Sequence, residues 1–94
     1  MTPEGAVKKK VRAILDELGC YYFMPAGSAY GHAGVPDFVG CIHGQFFALE
    51  CKAGKGKTTA LQDRELQKIG DAGGVAMIIN ETHIEEIMSC LKKF

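Results

Sequence analysis

Asp37, Glu50 and Lys52 are the residues of this 94-residue chain whose types and spacing invite chemistry. The stretch from Val35 to Lys52 reads as two strands joined by a turn at His43-Gly44. Asp37 stands at the mouth of the first strand, and Glu50 and Lys52 stand at the end of the second. Side chains alternate along a strand, so Glu50 and Lys52 share one face, about 7 Å apart along the chain, and Cys51 faces the other way. The preceding run Phe46-Phe47-Ala48-Leu49 is apolar on both faces, which predicts a strand inside a sheet. A carboxylate and an ammonium at the end of such a strand are costly unless paired or bound to something. Two carboxylates are hard oxygen donors suited to Mg²⁺ or Mn²⁺. Such an ion activates water and offsets charge on a phosphate, the chemistry of phosphodiester hydrolysis. Lys52 is placed to orient that water or to neutralise the transition state.

The elements that must position these residues follow from local pattern. Thr2-Pro3-Glu4 is a helix start, with Thr2 as N-cap, Pro3 at the first helical position and an acid in the first turn. Val7, Val11, Ile14, Leu15 and Leu18 recur at helical spacing, and Gly19 is a stop. Cys20 to Met24 is a short aromatic strand ended by Pro25, followed by a glycine-rich loop over 26–34 that leads directly to Asp37. Ser28, Tyr30 and His32 in that loop are candidate contacts to a phosphate or base, set against plain exposure to water. A basic loop with Lys55 and Lys57 precedes a second helix over Thr59–Ala72, where Thr59 and Gln62 fit a capping box. Arg64 and Lys68 lie four apart on that helix and read either as a phosphate track or as a surface pair. Gly73-Gly74 ends the helix, and Val75–Ile79 is an apolar run that predicts a buried, parallel strand. Thr82 to Glu85 fits a capping box opening a last helix with Ile84, Ile87, Met88 and Leu91 on one face.

Pro36-Asp37 followed by Glu50-Cys51-Lys52 resembles the PD-(D/E)xK nuclease motif. With Gly34 upstream, Gln62 in the next helix and Gly73-Gly74 before a strand, the chain resembles the VRR-NUC branch, in particular its short stand-alone phage and bacterial members. The resemblance covers nearly the whole chain. It implies a restriction-endonuclease-like α/β sandwich in which a small mixed sheet is flanked by helices, in the order αβββαβα. It further implies a Mg²⁺- or Mn²⁺-dependent DNA endonuclease that leaves a 5′-phosphate and a 3′-hydroxyl. Asp37, Glu50 and the carbonyl of Cys51 would be metal ligands, with Lys52 and Gln62 in the active site. For Glu4 the resemblance offers a place in the metal shell, and the helix dipole offers compensation of a helix N-terminus; both readings stand. Lys55, Lys57, Arg64, Lys68, Ser28 and Tyr30 are the candidate DNA contacts. A chain this short offers little surface for gripping a duplex, which predicts a homodimer. The stand-alone relatives add the expectation of branched DNA such as four-way junctions.

Composition bounds the alternatives. The length predicts a single domain over 1–94. No apolar run approaches membrane-spanning length and no basic-then-apolar leader opens the chain, which predicts a cytoplasmic protein, in the bacterial host cell if phage-encoded. Cys20, Cys41, Cys51 and Cys90 are widely spaced and read as reduced, half-buried thiols. Net charge is zero, but Lys8, Lys9, Lys10 and Arg12 cluster early, Lys52, Lys55 and Lys57 cluster after the core strand, and Glu81, Glu85 and Glu86 cluster late. The early cluster reads equally as a phosphate-binding patch and as a solvated helix face. Gly56-Lys57-Thr58 mimics the end of a Walker A loop, but Cys51 stands where that motif needs its first glycine, so no nucleotide cofactor is expected. The rival class is a catalytically silent nucleic-acid-binding or assembly module with the same fold.

Overall fold

A computed structural model describes residues 1–26 and 33–94. Ser28, Tyr30 and His32 lie outside the described residues. Seven elements follow one another in the expected order: α1 (Pro3–Leu18), β1 (Tyr21–Phe23), β2 (Phe38–Ile42), β3 (Gln45–Cys51), α2 (Ala60–Asp71), β4 (Val75–Ile79) and α3 (Glu86–Leu91). The α1 helix begins where Thr2 Oγ1 accepts the Gly5 N–H at 2.9 Å, and it ends at Gly19, whose φ of 68° ends the helical geometry. The strands form one sheet in the order β1-β2-β3-β4, antiparallel except for the parallel β3–β4 pair.

The β2–β3 hairpin turns at His43-Gly44, whose φ values of 48° and 81° are the two positive values a tight two-residue turn demands. That turn sets the register Phe38↔Leu49 and Ile42↔Gln45, which carries Asp37 to the end of β3 where Glu50 lies. The period-two pattern of β3 then divides the sheet. Phe47, Leu49 and Cys51 are fully buried against Val7, Val11 and Leu15 of α1, Ile87 and Leu91 of α3, and Phe38 and Ile79 of the neighbouring strands. Each large apolar side chain so buried contributes about 1.5–3 kcal/mol. Glu50 and Ala48 face the other way, towards α2, which packs on β3 and β4.

Three expectations change. The β1 strand is confined to Tyr21–Phe23. The apolar run Val75–Ile79 is parallel as expected, but as an edge strand it is only partly buried, and Ile78 is 45% exposed. The last helix starts at Glu86, later than the Thr82–Glu85 pattern predicts. Asn80 Oδ1 accepts both the Thr82 N–H and the Thr82 hydroxyl, so a side-chain turn takes up the group that would have capped the helix.

Gly34 joins the loop before Asp37 to the start of α2. Its φ is 86°, and a Cβ there would stand 2.6 Å from the Leu61 carbonyl oxygen, a backbone atom that cannot step aside. Gly34→Ala should therefore destabilise the fold by about 1–3 kcal/mol in a thermal or urea melt. Gly70→Ala, inside α2 with open space around the added methyl, should stabilise it by about 0.5–1 kcal/mol.

Candidate active site

The acids of α1, β2 and β3 converge. Glu4, Asp37 and Glu50 each offer a carboxylate oxygen within 4.8 Å of the others. Asp37 sits just before β2, and its Oδ2 accepts the backbone N–H of Cys51 at 2.8 Å, which fixes the carboxylate against the end of β3. Glu50 is 2% exposed. Its Oε2 accepts Gln62 Nε2 at 3.1 Å and lies 3.5 Å from Lys52 Nζ. Its Oε1 is buried and, among the described residues, has no hydrogen-bond partner. A buried carboxylate oxygen left bare among two further carboxylates fits the donor set of a hard divalent cation. Lys52 Nζ also lies 3.8 Å from Glu4 Oε1, so one ammonium serves two acids.

Gln62 makes two sets of hydrogen bonds, one at the start of α2 and one to Glu50. Its Oε1 accepts the Thr59 N–H at 2.9 Å, and its own N–H donates to Thr59 Oγ1 at 3.2 Å, completing the capping box. Its amide nitrogen is then free to reach Glu50. An amide has an acceptor at one end and donors at the other, which is why cap and site do not compete. The loop after Lys52 is tethered as well, since Gly54 N–H donates to Glu81 Oε1 at 2.7 Å.

The electrostatics follow from burial. The Glu50 carboxyl is pushed up to about 7, first by desolvation and next by the charge of Asp37, with Lys52 pulling the other way. Burial pushes the Cys51 thiol up to about 12, with Asp37 and Glu50 adding to it. Cys51 is thus a protonated core residue, and its carbonyl is the only donor it has for a metal.

The remaining candidates divide. Lys57 lines a groove of about 450 Å³ together with Glu4 and Lys52, whereas Lys55 is exposed beyond it. Arg64 is exposed on α2. Lys68 lines a cavity of about 440 Å³ with Gly44 and Gln45, at the opposite end of the sheet from Asp37. Lys8, which spacing alone assigns only to a basic cluster, belongs to the site: its Nζ is 3.5 Å from Asp37 Oδ1. The available signal was its position, one helical turn after Glu4 on the same face of α1. Of the cysteines expected to be half-buried, Cys20 and Cys90 are, Cys51 is fully buried, and Cys41 is exposed because it lies on the α2 side of the sheet but on β2, whereas α2 packs on β3 and β4.

A solved structure described as a VRR_NUC domain matches with a TM-score of 0.79 over 95% of this chain and 97% of that one. The chain has the VRR_NUC fold. Identity to that structure is 20%. No family model matches the sequence, and no curated protein does. Among the described residues, no helix of this VRR_NUC-type fold is long and apolar enough to cross a membrane.

Two outcomes test the site. Below pH ~7 a divalent cation must displace a proton from Glu50, and above it none, so affinity should rise with pH. Calorimetric titration with Mn²⁺ should give about tenfold weaker binding at pH 6 than at pH 8, and a flat profile would show Glu50 ionised throughout. Gln62→Ala removes half of a capping box and one partner of Glu50. It should cost about 1 kcal/mol in a melt and also weaken Mn²⁺ binding.

Proposed function

We propose that this chain is a divalent-metal-dependent endodeoxyribonuclease of the VRR-NUC family, one domain over residues 1–94, that hydrolyses phosphodiester bonds. The observation that carries the reading is the meeting of Glu4, Asp37 and Glu50 within 4.8 Å, with the Lys52 ammonium beside them. The three acids would hold Mg²⁺ or Mn²⁺, with the Cys51 carbonyl as a further ligand. A bound ion supplies Lewis acidity and lowers the pKa of water. Lys52 orients the attacking water and stabilises charge growing on the phosphate. Gln62 keeps Glu50 in the rotamer that faces the other two acids. Lys57, in the groove beside Glu4, takes a phosphate of the bound strand, and the exposed Lys55 and Arg64 add charge around it.

The finer reading is a homodimer acting on branched DNA, such as a four-way junction, in the cytoplasm. In its support, the edge strand β1 exposes Tyr21 by 73% and Phe23 by 52%, on the same sheet face as α2 but at the edge strand farthest from β4. An apolar edge of this kind calls for a partner, and a two-fold arrangement would supply two sites for two strands.

Cleavage of a labelled four-way junction and its matched linear duplex, in Mg²⁺, Mn²⁺ or EDTA, tests both levels. Metal-dependent cutting that Lys52→Ala lowers by two or more orders of magnitude is the expected outcome. Cutting of both DNAs alike would keep the nuclease and remove the junction preference. Junction binding without cutting would favour the silent binding module. Tyr21→Glu with Phe23→Glu should convert a dimer to a monomer by light scattering, and a wild-type monomer would remove the paired-site picture.

A further inference from the structure

Lys8 pairs with an acid of the candidate metal cluster. Asp37 Oδ2 is engaged by the Cys51 N–H, so Oδ1 is the oxygen left to turn outward, and it is there that Lys8 Nζ lies, at 3.5 Å. A plain ion pair at the surface would be worth little. Here both side chains are partly withdrawn from water, at 32% and 20% exposure, and the pair adjoins two more carboxylates. Lys8 also lines a second groove, of about 570 Å³, with Lys9, Arg12, Asp16 and Met24, in which cations outnumber the one acid. That groove shares no lining residue with the groove of Lys52 and Lys57. Glu4 lines one groove and Lys8, one turn of α1 later, lines the other, so that turn spans from groove to groove.

We propose that Lys8 is a resident counter-cation on Asp37, displaced when a divalent ion enters and released into the α1 groove, where it takes a phosphate of the bound DNA strand. The inference rests on the nuclease reading above. Three carboxylates and two ammonium groups already sit close to balance, and a divalent ion turns that balance positive. The surplus is relieved when the freed ammonium moves to a phosphate. Metal entry thus arms the groove for the strand, and Lys9 and Arg12 extend the track away from the site. Lys8 is a positioning residue in this scheme, set apart from Lys52, which stays beside Glu4 and Glu50.

The test is Mn²⁺ titration by calorimetry without DNA, then junction binding in Ca²⁺ over a range of salt, for the wild type, Lys8→Met and Lys8→Arg, each confirmed folded by its melt. Lys8→Met should bind Mn²⁺ severalfold more tightly, because the competitor for Asp37 is gone; a damaged site would bind it more weakly. The same variant should bind the junction severalfold more weakly, with a salt slope smaller by about one, and Lys8→Arg should restore junction binding. Mn²⁺ affinity unchanged or weakened in Lys8→Met would overturn the proposal, as would unchanged junction binding. A wild type that binds no Mn²⁺ would overturn the nuclease reading itself. A wild type that binds Mn²⁺ and cuts DNA, with Lys8→Met indistinguishable from it, would remove Lys8 alone.

Discussion

Three carboxylates held within 4.8 Å of one another repel, and much of the local structure opposes that repulsion. At such distances each pair of unit charges costs about 4 kcal/mol in the effective dielectric of a protein surface, a large share of a small domain's stability. Each acid is therefore held by a different device. Asp37 is tied to a backbone N–H of β3. Glu4 lies in the first turn of α1, where the helix dipole favours negative charge. Glu50 is buried, and its carboxyl rises to about 7, so a proton offsets part of the repulsion when no cation is bound. Lys8 and Lys52 supply the rest. A site whose acids are offset by two ammonium groups and by the raised affinity of Glu50 for a proton is one that a divalent cation would relieve.

The devices are shared between structure and site, which a chain of 94 residues needs. Gln62 caps α2 with its oxygen and holds Glu50 with its nitrogen, so the helix cannot fray at its start without loosening the acid. Gly34 lets the loop before Asp37 touch the backbone of Leu61, next to Gln62. The segments before Asp37 and after Lys52 are thereby both joined to the helix that supports Glu50. The Glu81 carboxylate, beyond β4, holds the loop behind Lys52 through the Gly54 N–H. Four parts of the chain converge on one end of the sheet, and the β2–β3 register brings them into line.

Much of this arrangement is legible in the sequence because it rests on local rules. Thr2, Pro3 and Gly19 bound α1 through capping and φ preference, and His43-Gly44 marks the hairpin. Period-two alternation places Glu50 and Lys52 together, opposite Cys51. What escapes is set by competition or by distance in the chain. Thr82 looks like an N-cap, but Asn80 two residues earlier takes its hydroxyl, a contest that propensity does not decide. Val75–Ile79 is apolar enough for a central strand, yet topology places it at the edge, since nothing in its own residues counts the strands beyond it. Lys8 is one of three consecutive lysines, and only the fold distinguishes the one that reaches Asp37. Lys68 is the converse case, at helical spacing from Arg64 but facing the far end of the sheet.

A net charge of zero does not oppose the nucleic-acid partner proposed above, because the charges are unevenly placed. Lys8, Lys9 and Arg12 line one groove and Lys52 and Lys57 line another, so positive charge is gathered in the two grooves whose helix turn carries Glu4 and Lys8. The balancing Glu85 and Glu86 lie at the start of α3 and are exposed there. Tyr21, Phe23 and Phe46 form a third kind of surface, apolar and on the sheet face away from the α1–α3 core. Charge and apolarity are thus sorted by face. The grooves have the chemistry to take a polyanion by long-range attraction, and the sheet face has the chemistry to take an apolar partner by contact. With the two surfaces chemically distinct, a protein partner on the sheet face need not neutralise the lysines that a DNA strand would use.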